Sequence, residues 1–283
     1  MTVQGVTRQK TKLTLTERPR SLCVCTIVPG LPAGISHPTL GTLMGIRDVF
    51  QKIGAGFVHV GVTGLSYEHA LAEVCAKAMQ LSTCEDFLFL DADIATDPQW
   101  AAVMTAMPQD ILCGTYQQRT DPDGWCVNNI DTQIAAPEMS PEGILIVPIN
   151  DTGFGWVRLR RRVIEAMAKH FPELSYYSQD EKIKGECHAL WDPFVFEHGD
   201  PRRYEGKMRR RRTAGDTCFF KRARMAGFQP WAAAEMVIDH AGMGPKSLMQ
   251  WVEARQKKED AAKERLVIAP YEAGFPLGTL LQE

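Results

Sequence analysis

The sequence lacks several features that would each assign it to a particular class of protein. No run approaches the roughly 20 consecutive apolar residues of a membrane-spanning helix. Residues 1–20 are polar and basic without an apolar core, so we expect a mobile arm rather than a secretory signal. The net charge of −2 indicates no general attraction to nucleic acid or membranes. What remains is an ordinary globular composition, with 45% hydrophobic and 23% charged residues in 283.

Motifs for metals, disulfides and common nucleotide sites are also missing. The eight cysteines form no C-x-x-C pair and no Cys/His zinc spacing, which favours a reduced, cytoplasmic protein over a disulfide framework. No G-x-G-x-x-G follows the first predicted strand, and no G-x-x-x-x-G-K-[ST] occurs. Dinucleotide oxidoreductases and P-loop NTPases are therefore disfavoured.

Strand and helix patterns alternate through the first 120 residues. Apolar runs predict strands at 21–28, 56–62, 87–93 and 110–116, and helical spacing predicts helices at 39–53, 66–81 and 98–107. Such alternation predicts a parallel sheet with right-handed crossovers. The second half is less regular, with a hairpin region at 125–147, helices starting near 160 and 215, a short strand at 236–240 and a charged helix at 251–266. No linker divides the chain, so we predict a single α/β domain with a Rossmann-like, mostly parallel sheet flanked by helices.

The third strand ends in two acids, Asp91 and Asp93. Phe87 to Leu90 are all large and apolar, which is typical of a strand buried on both faces. Ligands bind beyond the carboxyl ends of such strands, and residues two apart in an extended segment point the same way. The pair could hold Mg²⁺ or Mn²⁺ with substrate phosphates, or divide between a metal and a ribose. The alternative is a plain turn that caps the next helix.

Four landmarks in order resemble GT-A-fold glycosyltransferases, especially compact bacterial and viral ones. The resemblance runs from about Leu22 to about Gly242 and rests on the strand ending in Asp91-Ala92-Asp93 and on three later segments. These are Cys113-Gly114-Thr115-Tyr116-Gln117-Gln118-Arg119, Thr152-Gly153-Phe154-Gly155-Trp156-Val157-Arg158-Leu159-Arg160-Arg161, and Gly215-Asp216-Thr217-Cys218-Phe219-Phe220-Lys221-Arg222 with its continuation to Phe228. A histidine, His240, then follows a strand.

The resemblance implies transfer of a sugar from a nucleoside diphosphate sugar, with UDP favoured, to an acceptor hydroxyl. Asp93 would bind Mn²⁺ or Mg²⁺ together with His240, and Asp91 would contact the metal, its water or the ribose. Asp216 would be the general base of an inverting reaction. The residues alone favour a structural or capping role for His240, and only the resemblance makes it a metal ligand. For Asp216 the residues alone indicate a helix N-cap, a role that is compatible with that of a base.

The resemblance also implies the remaining site residues and a division of the chain. The predicted nucleotide-sugar contacts are Pro29, Gly30, Ser66, Tyr67, Asp91, Ala92, Arg119 and Gly153. The predicted acceptor contacts are Trp191, Asp192, Arg209, Arg210, Arg211 and Arg212. We expect a nucleotide-binding half at 21–119, an acceptor-binding and catalytic half at 120–244, and a C-terminal helix and tail at 245–283. From the residues alone, the glycines around position 153 either form a turn before the next strand or allow the backbone to come close to a ligand.

Two positions depart from the family pattern. Gly215 stands where the family has a first acid before the general base, and Tyr67-Glu68-His69 stands where an Arg or Asn usually faces the nucleotide. The lost acid keeps open a binding module with degenerate catalysis. A sugar nucleotidyltransferase is disfavoured, since Pro29-Gly30 does not begin the G-x-G-x-R loop that those enzymes need.

Basic residues concentrate immediately before Asp216. The segment 202–224 carries ten Lys or Arg against two acids, a local charge of +8. Arginine binds phosphate oxygens in pairs, and the excess suggests a polyanionic acceptor. One hypothesis is a hydroxymethylated pyrimidine in DNA, reached by base flipping, with stacking on Trp125, Tyr176, Tyr177 and Trp191. The alternative is a solvated basic loop beside a saccharide or other acceptor site.

Overall fold

The fold consists of helices on both faces of one central sheet. The computed structural model describes residues 20–28, 35–118, 125–130, 136–198, 209–212 and 215–240. Its helices are α1 (His37–Ile53), α2 (Tyr67–Met79), α3 (Gln99–Ala106), α4 (Arg161–His170) and α5 (Gly215–Met225), with a 3-10 turn at Pro172–Leu174. Its strands are β1 (Leu22–Val28), β2 (Phe57–Thr63), β3 (Asp86–Asp91), β4 (Ile94–Thr96), β5 (Ile111–Cys113), β6 (Val127–Ile130), β7 (Glu138–Met139), β8 (Leu145–Thr152), β9 (Trp156–Arg160), β10 (Ser175–Tyr177), β11 (Glu186–His188), β12 (Val195–His198), β13 (Arg209–Arg212), β14 (Pro230–Ala233) and β15 (Ile238–His240).

The central sheet is mixed but has one dominant direction. Its strand order is β2-β1-β3-β9-β5-β14-β8-β6, with β7 paired to β8. The pairs β1–β2, β1–β3 and β5–β14 are parallel, and β9 runs antiparallel to both β3 and β5. Within the described residues, every strand of this sheet except β8 and β9 points the same way. The predicted single-domain, Rossmann-like α/β fold is confirmed, with β9 as an unpredicted antiparallel insertion.

The apolar run in β3 builds the core on both sides of the sheet. Phe87 and Phe89 pack into one cluster with α2, α4 and α5, whereas Leu88 and Leu90 pack into the other with α1 and α3. All four side chains are at most 1% exposed. Alternation along a strand explains this division, since successive side chains point to opposite faces.

Local signals at helix ends place the first helices close to their predicted bounds. Ser36 Oγ accepts a hydrogen bond from the Thr39 N–H at the start of α1, and Gly54 ends that helix with φ of 68°. Asp97 Oδ1 accepts from the Gln99 N–H before α3. Ser66 occupies the predicted N-cap position of α2, but its side chain makes no capping hydrogen bond.

β3 ends two residues earlier than predicted, and this places Asp93 in the candidate site. The strand stops at Asp91, and Ala92 and Asp93 form a turn instead of continuing it. The chain then enters β4, which pairs antiparallel with β15 so that Ile94 lies opposite His240. Asp91 and Asp93 therefore do not follow the same-side rule of an extended strand, and Asp93 is placed beside β15.

Several predicted features fall outside the described residues. These are residues 1–19 of the arm, Pro29, Gly30, Arg119, and the predicted helix at 251–266. The eight cysteines are all described and are free thiols, seven of them buried. None of the helices in the described part of the chain has the length and apolar character needed to span a membrane.

Candidate active site

Chemically reactive side chains meet at the carboxyl-terminal edge of the parallel strands. Ser66 and Tyr67 follow β2, Asp91 ends β3, Tyr116 follows β5, and Asp216 lies in the first turn of α5. The Asp91 charge acts on the hydroxyls of Tyr67 and Tyr116, and the Asp216 charge acts on both as well. This edge is where open α/β sheets bind ligands, so these residues define the candidate site.

Asp93 and His240 face each other across the β4–β15 pair. Asp93 Oδ2 lies 3.7 Å from His240 Nε2, which is longer than a hydrogen bond. His240 Nδ1 lies 2.7 Å from the Gln117 carbonyl oxygen. A carbonyl only accepts, so Nδ1 carries a proton, and Nε2 is the ring nitrogen that faces Asp93. The Tyr116 ring packs edge-on at 5.0 Å and further fixes the imidazole.

This arrangement fits a divalent cation held partly by the protein. Metal-binding histidines commonly donate their second N–H to a backbone carbonyl, as His240 does here. Two ligands 3.7 Å apart can flank one cation at about 2.1 Å from each. Among the described residues, no group of three or more His, Cys, Asp or Glu could hold a metal. Beyond Asp93 and His240, the described residues leave the further positions of such a cation to substrate oxygens or water.

Asp216 has the environment of a proton-accepting carboxylate. It accepts hydrogen bonds from the Phe154 N–H and the Tyr67 hydroxyl, whereas its buried Oδ1 has no hydrogen-bond partner among the described residues. Burial raises the pKa of Asp216 to about 7, and the charges of Glu68 and Asp151 add to the rise while the two hydrogen bonds oppose it. A carboxyl group with this pKa exchanges protons readily near neutral pH.

Tyr67 links the second strand to Asp216. The residue is 36% exposed, but its hydroxyl end points inward and donates to the Asp216 carboxylate. Burial raises the pKa of this hydroxyl well above its ordinary value, and the Asp91 and Asp216 charges raise it further. The phenol therefore stays protonated and serves as a donor that orients Asp216.

Glu68 lies over the glycine that precedes Asp216. A Cβ built on Gly215 would come 2.6 Å from Glu68 Cγ and 3.3 Å from Glu68 Oε1. A second acid is thus present beside Asp216, supplied by α2 instead of by position 215. Glu68 and Gly215 both depart from the family pattern in the sequence, and the fold brings the two positions together.

The glycines before β9 make room for Tyr116. A Cβ on Gly153 or Gly155 would come 2.3 or 2.6 Å from the Tyr116 hydroxyl oxygen, and that oxygen accepts a 2.9 Å hydrogen bond from the Gly155 N–H. Close approach is therefore the reason for these glycines, and the approaching group is a side chain of the same protein. The predicted contact between Gly153 and a nucleotide sugar stays a prediction. Ala92, another predicted contact, is buried, and its carbonyl accepts from the Ser36 N–H.

Two predicted acceptor residues have different environments. Trp191 is fully buried, and its ring stacks on Phe219 at 4.7 Å, with Phe89 and Phe154 also packed against it. It is a core residue, so the prediction that it offers a stacking face to the acceptor is wrong. Asp192, the next residue, is exposed and lines a pocket.

Part of the arginine-rich segment lies within the described residues. Arg209 to Arg212 form β13, which pairs antiparallel with β12 and is not a loop. Arg222, in α5, is only 6% exposed. Its Nη1 donates to the carbonyls of Leu190 and Asp192, at 2.7 and 2.8 Å. At least one basic residue of the segment therefore stabilises the fold instead of facing a ligand.

Comparisons with known proteins find only distant structural similarity. No protein-family model matches the chain, and no curated protein matches it. Solved structures with similar folds include A197 from STIV (14% identity, 77% of this chain and 84% of that chain, TM-score 0.44). Others are 4-diphosphocytidyl-2C-methyl-D-erythritol synthase from Anaerococcus prevotii (11%, 57% and 80%, 0.30) and a glycosyltransferase involved in the glycosylation of the major capsid of PBCV-1 (14%, 54% and 66%, 0.30). At these TM-scores the similarity assigns no function to this protein. A function has to be inferred from the site residues.

Proposed function

We propose that this protein is a metal-dependent glycosyltransferase of the GT-A type, which moves a sugar from a nucleoside diphosphate sugar to an acceptor hydroxyl. The observation that carries the proposal is the Asp216 carboxyl, with a pKa of about 7 and an Oδ1 that has no hydrogen-bond partner. It shares the carboxyl edge of the sheet with the Asp93–His240 pair. A general base and a candidate cation pair on one edge are what such a transfer requires.

The donor would bind at the carboxyl ends of β1–β3. Asp93 and His240 would hold Mn²⁺ or Mg²⁺, which supplies positive charge for the diphosphate leaving group, and Asp91 would contact the ribose or a water bound to the metal. Ser66 and Tyr67 follow β2 on this edge, where the nucleoside would rest. UDP is the nucleotide that we favour from the family resemblance.

Asp216 would act on the acceptor. Its ionised carboxylate takes the proton from the acceptor hydroxyl as that oxygen bonds to the anomeric carbon, while the bond from that carbon to the diphosphate oxygen breaks. The hydrogen bonds from Tyr67 and Phe154 hold the carboxylate in place during this transfer. Direct attack by the acceptor inverts the configuration of the anomeric carbon.

The test is transfer by the full-length protein from a panel of UDP-sugars, with and without Mn²⁺. Asp216→Asn should retain UDP binding and lose transfer by about 10²–10⁴-fold, the usual contribution of a general base. The wild-type rate should rise with pH through about 7 as Asp216 ionises. Full activity in Asp216→Asn would contradict the assignment, and binding of UDP without turnover of any donor would favour the binding module.

The DNA acceptor stays a prediction within this proposal. Its support is the ordered strand β13, which places four consecutive arginines three residues before the start of α5. Binding of hydroxymethylated DNA should then weaken steeply with salt as phosphate contacts are screened.

A further inference from the structure

The strand β2 forms one end of the central sheet, and its outer edge has no neighbouring strand among the described residues. It pairs with β1 alone, through a continuous parallel register without a bulge. β2 is seven residues long, and its sequence, FVHVGVT, contains no proline and no charged residue. Proteins commonly protect a sheet edge with lysine, proline or a bulge, and β2 has none of these. The opposite end of the sheet is β6, a strand of only four residues.

The register with β1 determines which backbone groups of β2 point outward. The Leu22 N–H donates to the Gly56 carbonyl oxygen at 2.9 Å, and Leu22 lies opposite Phe57. In a parallel pair, alternate residues of a strand bond to the same neighbour. The even-numbered residues of β2 therefore bond to β1. The outward N–H and C=O groups belong to the odd-numbered residues, which are Phe57, His59, Gly61 and Thr63.

These outward groups are complementary to a second copy of the same strand. When two copies of β2 run antiparallel with Val60 on the two-fold axis, Phe57 of each copy faces Thr63 of the other. His59 faces Gly61 in the same way. Because every residue in these pairs is odd-numbered, each outward N–H meets an outward C=O. A shift by one residue would instead place the outward groups opposite residues whose own groups already bond to β1.

The side chains also suit this register. Val60 meets Val60 on the axis, and Val58 meets Val62, in the pairs without hydrogen bonds where side chains approach most closely. Such β-branched pairs stabilise a sheet, and no charge in β2 opposes a like charge. The exposed His59 faces Gly61, which has no side chain to obstruct it. We propose that two copies of this protein pair through β2 and form a dimer with one continuous sheet.

The dimer would keep the two candidate sites apart. Ser66 and Tyr67 follow the carboxyl end of β2, and the carboxyl ends of two antiparallel strands point in opposite directions. The sites therefore open at opposite edges of the joined sheet, and the dimer does not depend on the proposed function. A strand pair about 23 Å long is smaller than a standard interface, so the dimer should dissociate on dilution.

The first test is sedimentation equilibrium of the full-length protein from about 1 μM to 1 mM, which should show reversible dimer formation. His59→Pro removes one outward N–H of each copy without removing a hydrogen bond to β1, and proline is tolerated at such edge positions. We expect it to weaken dimer formation about tenfold or more, because the symmetric interface loses the bond twice. The matched control is His59→Thr, which keeps the N–H and loses the same 2.8 Å side-chain contact with Thr26 Oγ1.

The second test is oxidative cross-linking, which examines the register. Residue 60 and its copy should have Cα atoms about 4.5 Å apart, within the range of a disulfide. Diamide, which takes up the two thiol hydrogens as the disulfide forms, should therefore join two copies of Val60→Cys. Val58→Cys is the control, because residue 58 lies about 13 Å from its own copy in this register. The wild type gives the background from the native cysteines, seven of which are buried.

A monomer at every concentration would overturn the proposal. Equal dimer formation by His59→Pro and His59→Thr would also contradict it, since the interface would then lie elsewhere. Equal cross-linking of Val58→Cys and Val60→Cys would exclude the register that carries the argument. Circular dichroism checks the fold of each variant, and if His59→Pro does not fold, the cross-linking comparison decides. UDP binding measured in the same preparations tests the donor site independently of the dimer.

Discussion

Replacing Asp216 by asparagine should make the folded protein more stable at alkaline pH. The folded-state pKa of about 7 lies above the ordinary value of 3.8, so the folded protein binds a proton that the unfolded chain has lost between those values. Stability therefore falls as pH rises through this window. At about 1.4 kcal/mol per pH unit, ionisation of Asp216 costs at most about 4 kcal/mol by pH 8. The partial positive charge at the N-terminus of α5 stabilises the ionised form of Asp216, so the cost of about 4 kcal/mol is an upper limit.

Asparagine cannot ionise, yet its carbonyl can keep the hydrogen bonds from Tyr67 and Phe154. Urea unfolding of both proteins at pH 4 and pH 8 gives the difference in their free energies of unfolding. The free energy of unfolding of Asp216→Asn relative to that of the wild type should be larger at pH 8 than at pH 4. Because the other titrating groups are common to both proteins, their contributions cancel.

The matched control is Asp48→Asn, which removes an exposed carboxylate that forms an ion pair with its neighbour Arg47 in α1. Its effect should stay within about 0.5 kcal/mol at both pH values. If the stability difference between wild type and Asp216→Asn is the same at pH 4 and pH 8, Asp216 is not held in an environment that disfavours its charge. Asp216 would then not be a general base with a pKa near 7.

Four further substitutions test other parts of the site and fold. Glu68→Gln should lower the pH at which the transfer rate rises, because it removes a negative charge beside the base, and a pH–rate profile measures this. Gly215→Ala should displace Glu68 and cost about 1–3 kcal/mol in urea unfolding, with an unchanged midpoint contradicting the 2.6 Å contact. Asp93→Ala should remove the Mn²⁺ dependence of UDP binding in calorimetry, whereas undiminished dependence would place the cation elsewhere. Arg158→Met should cost about 3–5 kcal/mol, because the fully buried guanidinium pairs with buried Asp86 at 3.5 Å, and a loss below 1 kcal/mol would indicate that Arg20 alone suffices.

The parts of the fold set by local patterns could be predicted from the sequence. The four apolar residues of β3 identify a strand buried on both faces, and the Gly54 and Gly227 positions end α1 and α5 with positive φ. These features depend on neighbours within a few residues. The position of Asp91 at a strand end follows from them directly.

The parts set by long-range pairing could not be predicted. The insertion of β9 between β3 and β5 joins residues separated by more than 40 positions, and no local pattern encodes it. Trp191 illustrates the same limit, because an aromatic residue in a loop-like segment gives no sign of whether it faces a ligand or a core. Glu68 became part of the site only because the fold brings the start of α2 beside Gly215, at the start of α5.

The location of β9 has a consequence for how the chain acquires its structure during synthesis. Until Trp156–Arg160 has left the ribosome, β3 and β5 have no strand between them, and both present open edges. A polypeptide ending near residue 119 would carry the predicted nucleotide-binding half but not the strand that closes it, and we expect such a fragment to aggregate. The predicted division at residue 119 is therefore not a division into folding units, because the sheet of the first half is completed only by a strand from the second.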